Sequence, residues 1–414
     1  MKKILFRKDI KQIIFYDTLD ILDLNESACF LFELLCLELS STEIAKRASL
    51  KFSESFEDSL ENVVSFQEQL KDLDITPHRE LVGDLEFMPH TPIVHIIQNC
   101  NSPCTMCDCW MTKGKKWHSR NSLFKIHQKL KSLGAIGIMI SGGEPLMHPE
   151  LEGILMDLKE IGLEIYLNTN GILLKNKMDF LTNLKIDELV VSIDGINAND
   201  YKTIRGTDKF ELVVENVKLF KEKNPQTRVV TRTTLTKYTL NHLLPFIELA
   251  KNIGIDHIGF SPLDVSSESF NRINHNEERE LRLIGDLLPG KEELLQIIDW
   301  IQTSQNSMSL TTLEQEGYIA WGPDKIIKCL EFYINIIDGN ERKFNKEVCM
   351  FPFFSVLVDY DGSVRGCFYD TPFGNINDFE NIDWDFEKRI KKLESGSKCE
   401  TCRGKIFCDV GNLK

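Results

Sequence analysis

Three cysteines stand close together at one point of the chain. Residues 99–110 read Asn-Cys-Asn-Ser-Pro-Cys-Thr-Met-Cys-Asp-Cys-Trp, so Cys100, Cys104 and Cys107 follow a C-x3-C-x2-C spacing. An apolar run at 92–97, of the kind that forms a buried strand, leads into them. Thiolates are the ligands of iron–sulfur clusters, and four of them close a cubane. Three on one short loop leave one iron open to a substrate. The plainer alternative is a structural zinc site, which closes with four Cys or His ligands; Cys109 would be the fourth.

Polar motifs follow the next apolar runs. After 136–140 comes Ser141-Gly142-Gly143-Glu144-Pro145. Its glycine pair lets backbone approach a ligand without side-chain clash, so carbonyls and Glu144 could receive a cationic amino group. After 164–167 comes Asn168-Thr169-Asn170-Gly171, and after 188–193 the end of Ser192-Ile193-Asp194-Gly195. Arg205 closes Tyr-Lys-Thr-Ile-Arg, and a planar guanidinium meets a carboxylate with two parallel bonds. Alone, Asp194 or Arg205 reads as a helix cap or a surface charge. Thr233 and Ser261, at the ends of runs 228–235 and 257–260, are weaker ligand contacts.

The elements needed to hold these loops are legible. Six apolar runs (92–97, 136–140, 164–167, 188–193, 228–235, 257–260) alternate with amphipathic helical segments, which means a parallel sheet with covering helices. In such sheets ligands gather beyond the carboxyl ends of the strands, where all these motifs fall. Three strand-like runs at 4–7, 12–16 and 19–24 come first, the last two joined by a turn of about two residues. Three helices follow. Asn25 caps one over 26–39, Ser40 and Glu43 open a second as a capping box, and Leu60, Val63, Val64, Phe66, Leu70 and Leu73 mark a third. Cys29 and Cys36 read as core. This is a small winged-helix pattern. Residues 77–90 read as a linker and 266–340 as connecting helices. A hairpin is expected around Tyr360-Asp361-Gly362, among the last cysteines, Cys349, Cys367, Cys399, Cys402 and Cys408.

The net charge of −14 argues against nucleic acid, and residues 1–80 hold 10 Lys or Arg against 16 Asp or Glu, which disfavours DNA binding by the winged-helix part. No apolar run reaches the roughly 20 residues that span a bilayer. Charge interrupts the first residues too early for a signal-peptide core, so a cytoplasmic location with no membrane partner is expected. Twelve cysteines in a reducing compartment point to metal or redox chemistry before disulfides.

The cysteine loop, the Gly-Gly-Glu-Pro segment and the Ser192 to Asp194 segment together resemble the radical S-adenosylmethionine (SAM) enzymes. That resemblance covers most of 90–265 and implies an α/β fold, a partial (β/α)6 barrel, flanked by a winged-helix-like α+β domain and a small C-terminal iron–sulfur domain. It implies a [4Fe-4S] cluster on Cys100, Cys104 and Cys107 with SAM at the open iron. Contacts to SAM are implied from Gly142, Gly143, Glu144, Pro145, Asn168, Asn170, Ser192, Asp194 and Arg205, the last to its carboxylate. Met106 stands where the family often has an aromatic residue packing on adenine; a thioether also packs on a π face.

Residues 1–78 resemble the peptide-recognition domain of ribosomally made, modified peptide pathways, in which a leader segment adds as a strand beside the third strand and packs against the third helix. The cysteines of 341–414 resemble the auxiliary-cluster extensions called SPASM or twitch. Asn412 stands where a further cysteine is expected, so a single auxiliary iron–sulfur cluster on Cys349, Cys367, Cys399 and Cys402 is implied, with Cys408 the rival for one place; a zinc ribbon is the alternative. The resemblance thus implies an enzyme that reductively cleaves SAM to a 5′-deoxyadenosyl radical and modifies a precursor peptide. A thioether or carbon–carbon crosslink is the first choice. Peptide epimerisation, with Cys109 or Cys329 as hydrogen donor, or action on a small molecule or protein side chain, are the alternatives. An electron donor such as flavodoxin or ferredoxin is a further implied partner.

Overall fold

The computed structural model describes residues 4–7, 11–15, 21–77, 90–114, 116–264, 277–339, 355–368 and 371–384. The chain divides into two compact units, the first built on Met1–Phe87 and the second on Met88–Phe344 and Phe351–Phe407.

In the first unit, strands β1 (Ile4–Arg7), β2 (Gln12–Phe15) and β3 (Ile21–Asp23) form an antiparallel sheet in that order, with Ile4 opposite Phe15 and Ile13 opposite Leu22. β2 and β3 pair antiparallel as expected, and the turn expected between them, with Tyr16, Leu19 and Asp20, lies outside the described residues. Helices α1 (Glu26–Cys36), α2 (Ser41–Phe52) and α3 (Phe56–Asp72) follow. Each starts on a side-chain cap: Asn25, Ser40 and Ser55 accept from the backbone N–H of Ala28, Glu43 and Asp58. The capping box at Ser40 is half formed, because the Glu43 carboxylate instead accepts from Arg47 at 3.2 Å. α1 ends at Cys36, three residues before the expected end. The sheet and helices share a core of Phe6, Ile13, Phe32, Cys36, Ile44, Val63 and Leu70, with Phe6 and Phe32 edge to face at 4.8 Å. Each fully buried large side chain there contributes about 1.5–3 kcal/mol.

The second unit carries strands β4 (Ile93–Ile97), β5 (Gly137–Gly142), β6 (Glu164–Thr169), β7 (Glu188–Ser192), β8 (Arg228–Leu235) and β9 (His257–Pro262), all parallel and adjacent in chain order. Helices fill the connections, and right-handed crossovers in sequential order place them on one face. That face is sealed: Ile138, Ile140, Ile165, Leu167, Leu189, Val191, Val229 and Leu235 are all fully buried. Ser141, Asn168, Ser192 and Arg232 alternate onto the other face, which is free of these crossover helices among the described residues. This is the expected parallel α/β sheet, and it does not close into a barrel among the described residues.

The C-terminal hairpin forms as expected, but its place was not foreseen. Strand β10 (Leu357–Val358) pairs parallel with β4, Leu357 beside Ile93, and β11 (Ser363–Arg365) and β12 (Gly374–Asn375) continue the sheet. The sheet order is therefore β12-β11-β10-β4-β5-β6-β7-β8-β9.

Candidate active site

The cysteine loop leaves β4 and is fastened to the far side of the site. Thr105 N–H donates to Ile204 O at 2.9 Å, its hydroxyl to Thr203 O at 2.8 Å, and the Ser102 hydroxyl to Arg205 O at 3.0 Å. These acceptors close the helix Ala198–Arg205. Gly206 follows in the left-handed region at φ 68°, and a Cβ there would sit 2.2 Å from Pro103 O. Only glycine allows the loop and the helix end to touch.

Cys104 is buried, and Cys100 and Cys107 are half-buried. The three thiols act on one another: Cys104 and Cys107 both raise the pKa of Cys100, and Cys107 raises that of Cys104. Burial is the larger cause, and with Glu144 it pushes the Cys100 thiol up to about 12. Such thiols hold their protons until a metal takes their place, since coordination deprotonates a thiol outright. Three thiols on one loop at a strand's carboxyl end are the donor type that iron–sulfur clusters use. Among the described residues no group of three or more His, Cys, Asp or Glu is already drawn together as around one metal ion, these three thiols included. Cys109 is buried against Cys107, whose hydrogen bond is the chief cause raising its thiol pKa, ahead of burial.

The Gly-Gly pair makes a close approach, but to protein. A Cβ on Gly142 would lie 2.3 Å from Ile97 O, and one on Gly143 would lie 2.2 Å from Asn99 O. Gly143 N–H donates to Ile97 O at 2.7 Å and Glu144 N–H to Asn99 O at 2.9 Å. The loops after β4 and β5 are thus sewn backbone to backbone. Pro145 opens a short turn over Pro145–Met147 and is buried.

Glu144 was expected to receive a ligand's amino group. It is fully buried, and its carboxylate accepts from Leu146 N–H at 3.0 Å, the Thr169 hydroxyl at 2.7 Å and Asn170 N–H at 2.7 Å. Burial raises its pKa; those donors and Arg205 pull the other way. It holds the β5 and β6 loops together. Asn170 donates to Asn101 Oδ1 at 2.7 Å and reaches Cys100 Sγ at 3.8 Å, tying the β6 loop to the cysteine loop. Asn168 donates to the Ser141 hydroxyl at 3.0 Å, while its Oδ1 is buried with no partner among the described residues. That oxygen is a buried acceptor that the described residues leave unused.

Asp194 and Arg205 are partners of each other. Their side chains form an ion pair, Asp194 fully buried and Arg205 nearly so. Asp194 Oδ1 accepts from Thr234 N–H at 2.6 Å, and Arg205 Nη1 lies 3.7 Å from Cys104 Sγ. Burial works to lower the Arg205 pKa, but Asp194 and Cys104 hold it above its ordinary value. Ser192 and Met106 are half-buried near these groups in the chain, and Ser192 lies on the helix-free face. Thr233 is not a ligand contact: it is fully buried on the helix side and donates to Ile193 O at 2.9 Å. Ser261 is half-buried in register with Thr234.

Several groups beside the site gave no sequence signal. Asp108, inside the cysteine loop, forms a two-pronged ion pair with Arg279 of the helix Glu277–Leu287. His95 of β4 meets Asp359 Oδ1 at 3.1 Å, and His118 meets Asp359 O at 2.9 Å, which fixes the hairpin against the cysteine-loop side of the sheet. Cys329 is buried in the helix Pro323–Ile337 with burial raising its thiol pKa to about 12 and Tyr333 beside it. Of the four expected auxiliary ligands Cys367 alone is described, half-buried after β11; Cys349, Cys399 and Cys402, with their rival Cys408, lie outside the described residues.

Residues 94–250 match the model of the Radical SAM superfamily. A protein named probable GTP 3′,8-cyclase from Saccharolobus islandicus (strain M.14.25 / Kamchatka #1) is 25% identical over 191 residues, 46% of this chain and 61% of that protein. One of the same name from Methanococcus vannielii is 32% identical over 177 residues, 41% of this chain and 58% of that protein. The chain thus spans about three fifths of the length of these curated relatives. Among solved structures, Streptococcus suis SuiB bound to S-adenosylmethionine matches with a TM-score of 0.55 at 15% identity, covering 100% of this chain and 93% of SuiB. The same protein bound to precursor peptide SuiA matches at 0.54 and 14%. Native anSMEcpe with bound AdoMet and Cp18Cys peptide matches at 0.51 and 19%, covering 77% of this chain and 88% of that one. At these identities the likeness is one of fold. No helix among the described residues is long and apolar enough to cross a membrane.

Proposed function

We propose that this protein is a radical SAM enzyme that modifies a ribosomally made peptide, with a crosslink as the first expected product. The observation that carries the first half is the set of thiols Cys100, Cys104 and Cys107, bound through Ser102, Thr105 and Asn170 to the loops that end neighbouring parallel strands. A cluster held by those thiols would supply one-electron cleavage of the C–S bond in SAM. The chain's own residues hold that chemistry in place. Asn168 Oδ1 offers an acceptor, Arg205 puts a cation beside the Cys104 sulfur, and Glu144 keeps two of the three loops in register.

The peptide half rests on the first unit and on the folds it resembles. The match to SuiB spans the whole chain, and that protein is solved with its precursor peptide. β3 is an edge of its sheet. α3 presents a surface hollow with Leu60 and Val64 between Glu57, Glu61 and Glu68. An edge strand, and a helix surface carrying apolar side chains among carboxylates, each suit an extended leader bearing apolar and basic side chains. Cys367 supports an auxiliary cluster only as one candidate ligand.

The names of the sequence relatives favour a second reading, a small nucleotide as substrate. The test is anaerobic reaction of the full-length, cluster-reconstituted protein with dithionite and SAM. Release of 5′-deoxyadenosine is expected, and its absence removes the enzyme. Mass change in any short peptide encoded beside the gene supports the peptide reading; consumption of GTP in its place supports the second.

A further inference from the structure

Charged groups in and around the sheet are matched with one another. Arg205 has Asp194, Arg228 has Glu188 at 2.7 Å, Arg279 has Asp108, and Glu144 has three donors. Arg232 is different. It takes no hydrogen bond and no ion pair among the described residues, and the one influence on its pKa is burial, which lowers it. The chain has 63 acidic residues against 49 basic ones, yet among the described residues none is set against this guanidinium.

Its place follows from the register. Val229, Thr231, Thr233 and Leu235 of β8 are buried under the helices, so Arg232 shares the opposite face with Val230 and Thr234. Its neighbours across the sheet are Ser192 on β7 and Gly259 on β9. Gly259 has no side chain to fill the space beside it. Arg232 is exposed to solvent on the helix-free face, toward the strand ends where the thiol loop lies, and burial by the protein around it still lowers its pKa.

A partly desolvated cation with no partner is costly, and an anion from outside offsets the cost. A guanidinium selects a planar, two-oxygen anion. We infer that Arg232 is an anion receptor on the helix-free face, and that it takes the carboxylate of a molecule bound over the sheet. The inference rests on the proposed function for the identity of that molecule. Two carboxylates then come into question: the methionyl carboxylate of SAM, since Arg205 is already engaged by Asp194, or an acidic group of the substrate.

The test uses the full-length protein with its cluster reconstituted, in anaerobic buffer. Phenylglyoxal attacks arginines that no anion occupies, and the adduct on Arg232 is followed by peptide mass spectrometry. Arg232 is expected to react. Slowing of at least fivefold by SAM, with decarboxylated SAM ineffective, assigns the site to the carboxylate of SAM. Where Arg232 stays reactive under saturating SAM, a fivefold slowing by added glutarate assigns it to an acidic substrate group. An unreactive Arg232, equal protection by SAM and decarboxylated SAM, or no protection by any of the three overturns the inference. Release of 5′-deoxyadenosine by the same preparation reports separately on the enzyme reading, so either can fail alone.

Discussion

Replacing Glu144 separates two roles that look alike in sequence. In the structure its carboxylate ends three donors inside the protein: Leu146 N–H, Asn170 N–H and the Thr169 hydroxyl, which itself accepts from Gly171 N–H at 3.1 Å. Glu144→Ala leaves all three without an acceptor, at about 1–3 kcal/mol each. Partial relaxation and water entry bring the expected loss to the low end, about 3–5 kcal/mol, a large part of a typical domain's stability. Glu144→Gln keeps the shape but offers one acceptor oxygen, so at least one donor faces an amide NH2; the expected loss is about 1.5–3 kcal/mol. All five tryptophans lie in the second unit, so urea unfolding followed by tryptophan fluorescence reports on that unit. The midpoint should fall in the order wild type, Gln, Ala. If Gln unfolds like wild type while SAM affinity collapses, Glu144 is a direct ligand contact and the loop-fastening role is wrong.

Four further outcomes are expected. Asp194→Asn strands the buried Arg205 cation and should cost about 3–5 kcal/mol in the same unfolding assay. Gly143→Ala pushes a methyl into Asn99 O, 2.2 Å away, and should lower stability by about 1–3 kcal/mol and loosen the cysteine loop, read by iron content after reconstitution. Arg232→Gln removes a cation that has no partner among the described residues, so its melting temperature should equal or exceed that of wild type. Asp359 opposes burial through His95 and is held below its ordinary 3.8. Its depressed folded pKa contributes stability that is present above 3.8 and lost as pH falls through the lower folded value. Asp359→Asn should therefore melt below wild type at pH 7, with the gap narrowing as the pH drops below about 4.

The amino-acid sequence by itself determined what depends on near neighbours. Cys100, Cys104 and Cys107 share one short loop, so their spacing alone says they can meet. Alternating apolar runs require a parallel sheet, and that places the loops of Gly142 to Pro145, Asn168 to Asn170 and Asp194 at one end. The helix caps at Asn25 and Ser40 were legible because a cap spans three residues. Only the tertiary structure decided which group each charge meets. His95 finds Asp359 across 264 positions, and Asp108 finds Arg279 across 171. Such pairings leave no local periodicity, because their energy is realised only when distant segments are desolvated together. The same holds for the shared commitment of Asp194 and Arg205, for the saturated carboxylate of Glu144, for β10 joining β4, and for the absence of a partner at Arg232 among the described residues. A residue's type and spacing tell what it can bind; the packing around it tells which of those capacities has already been used.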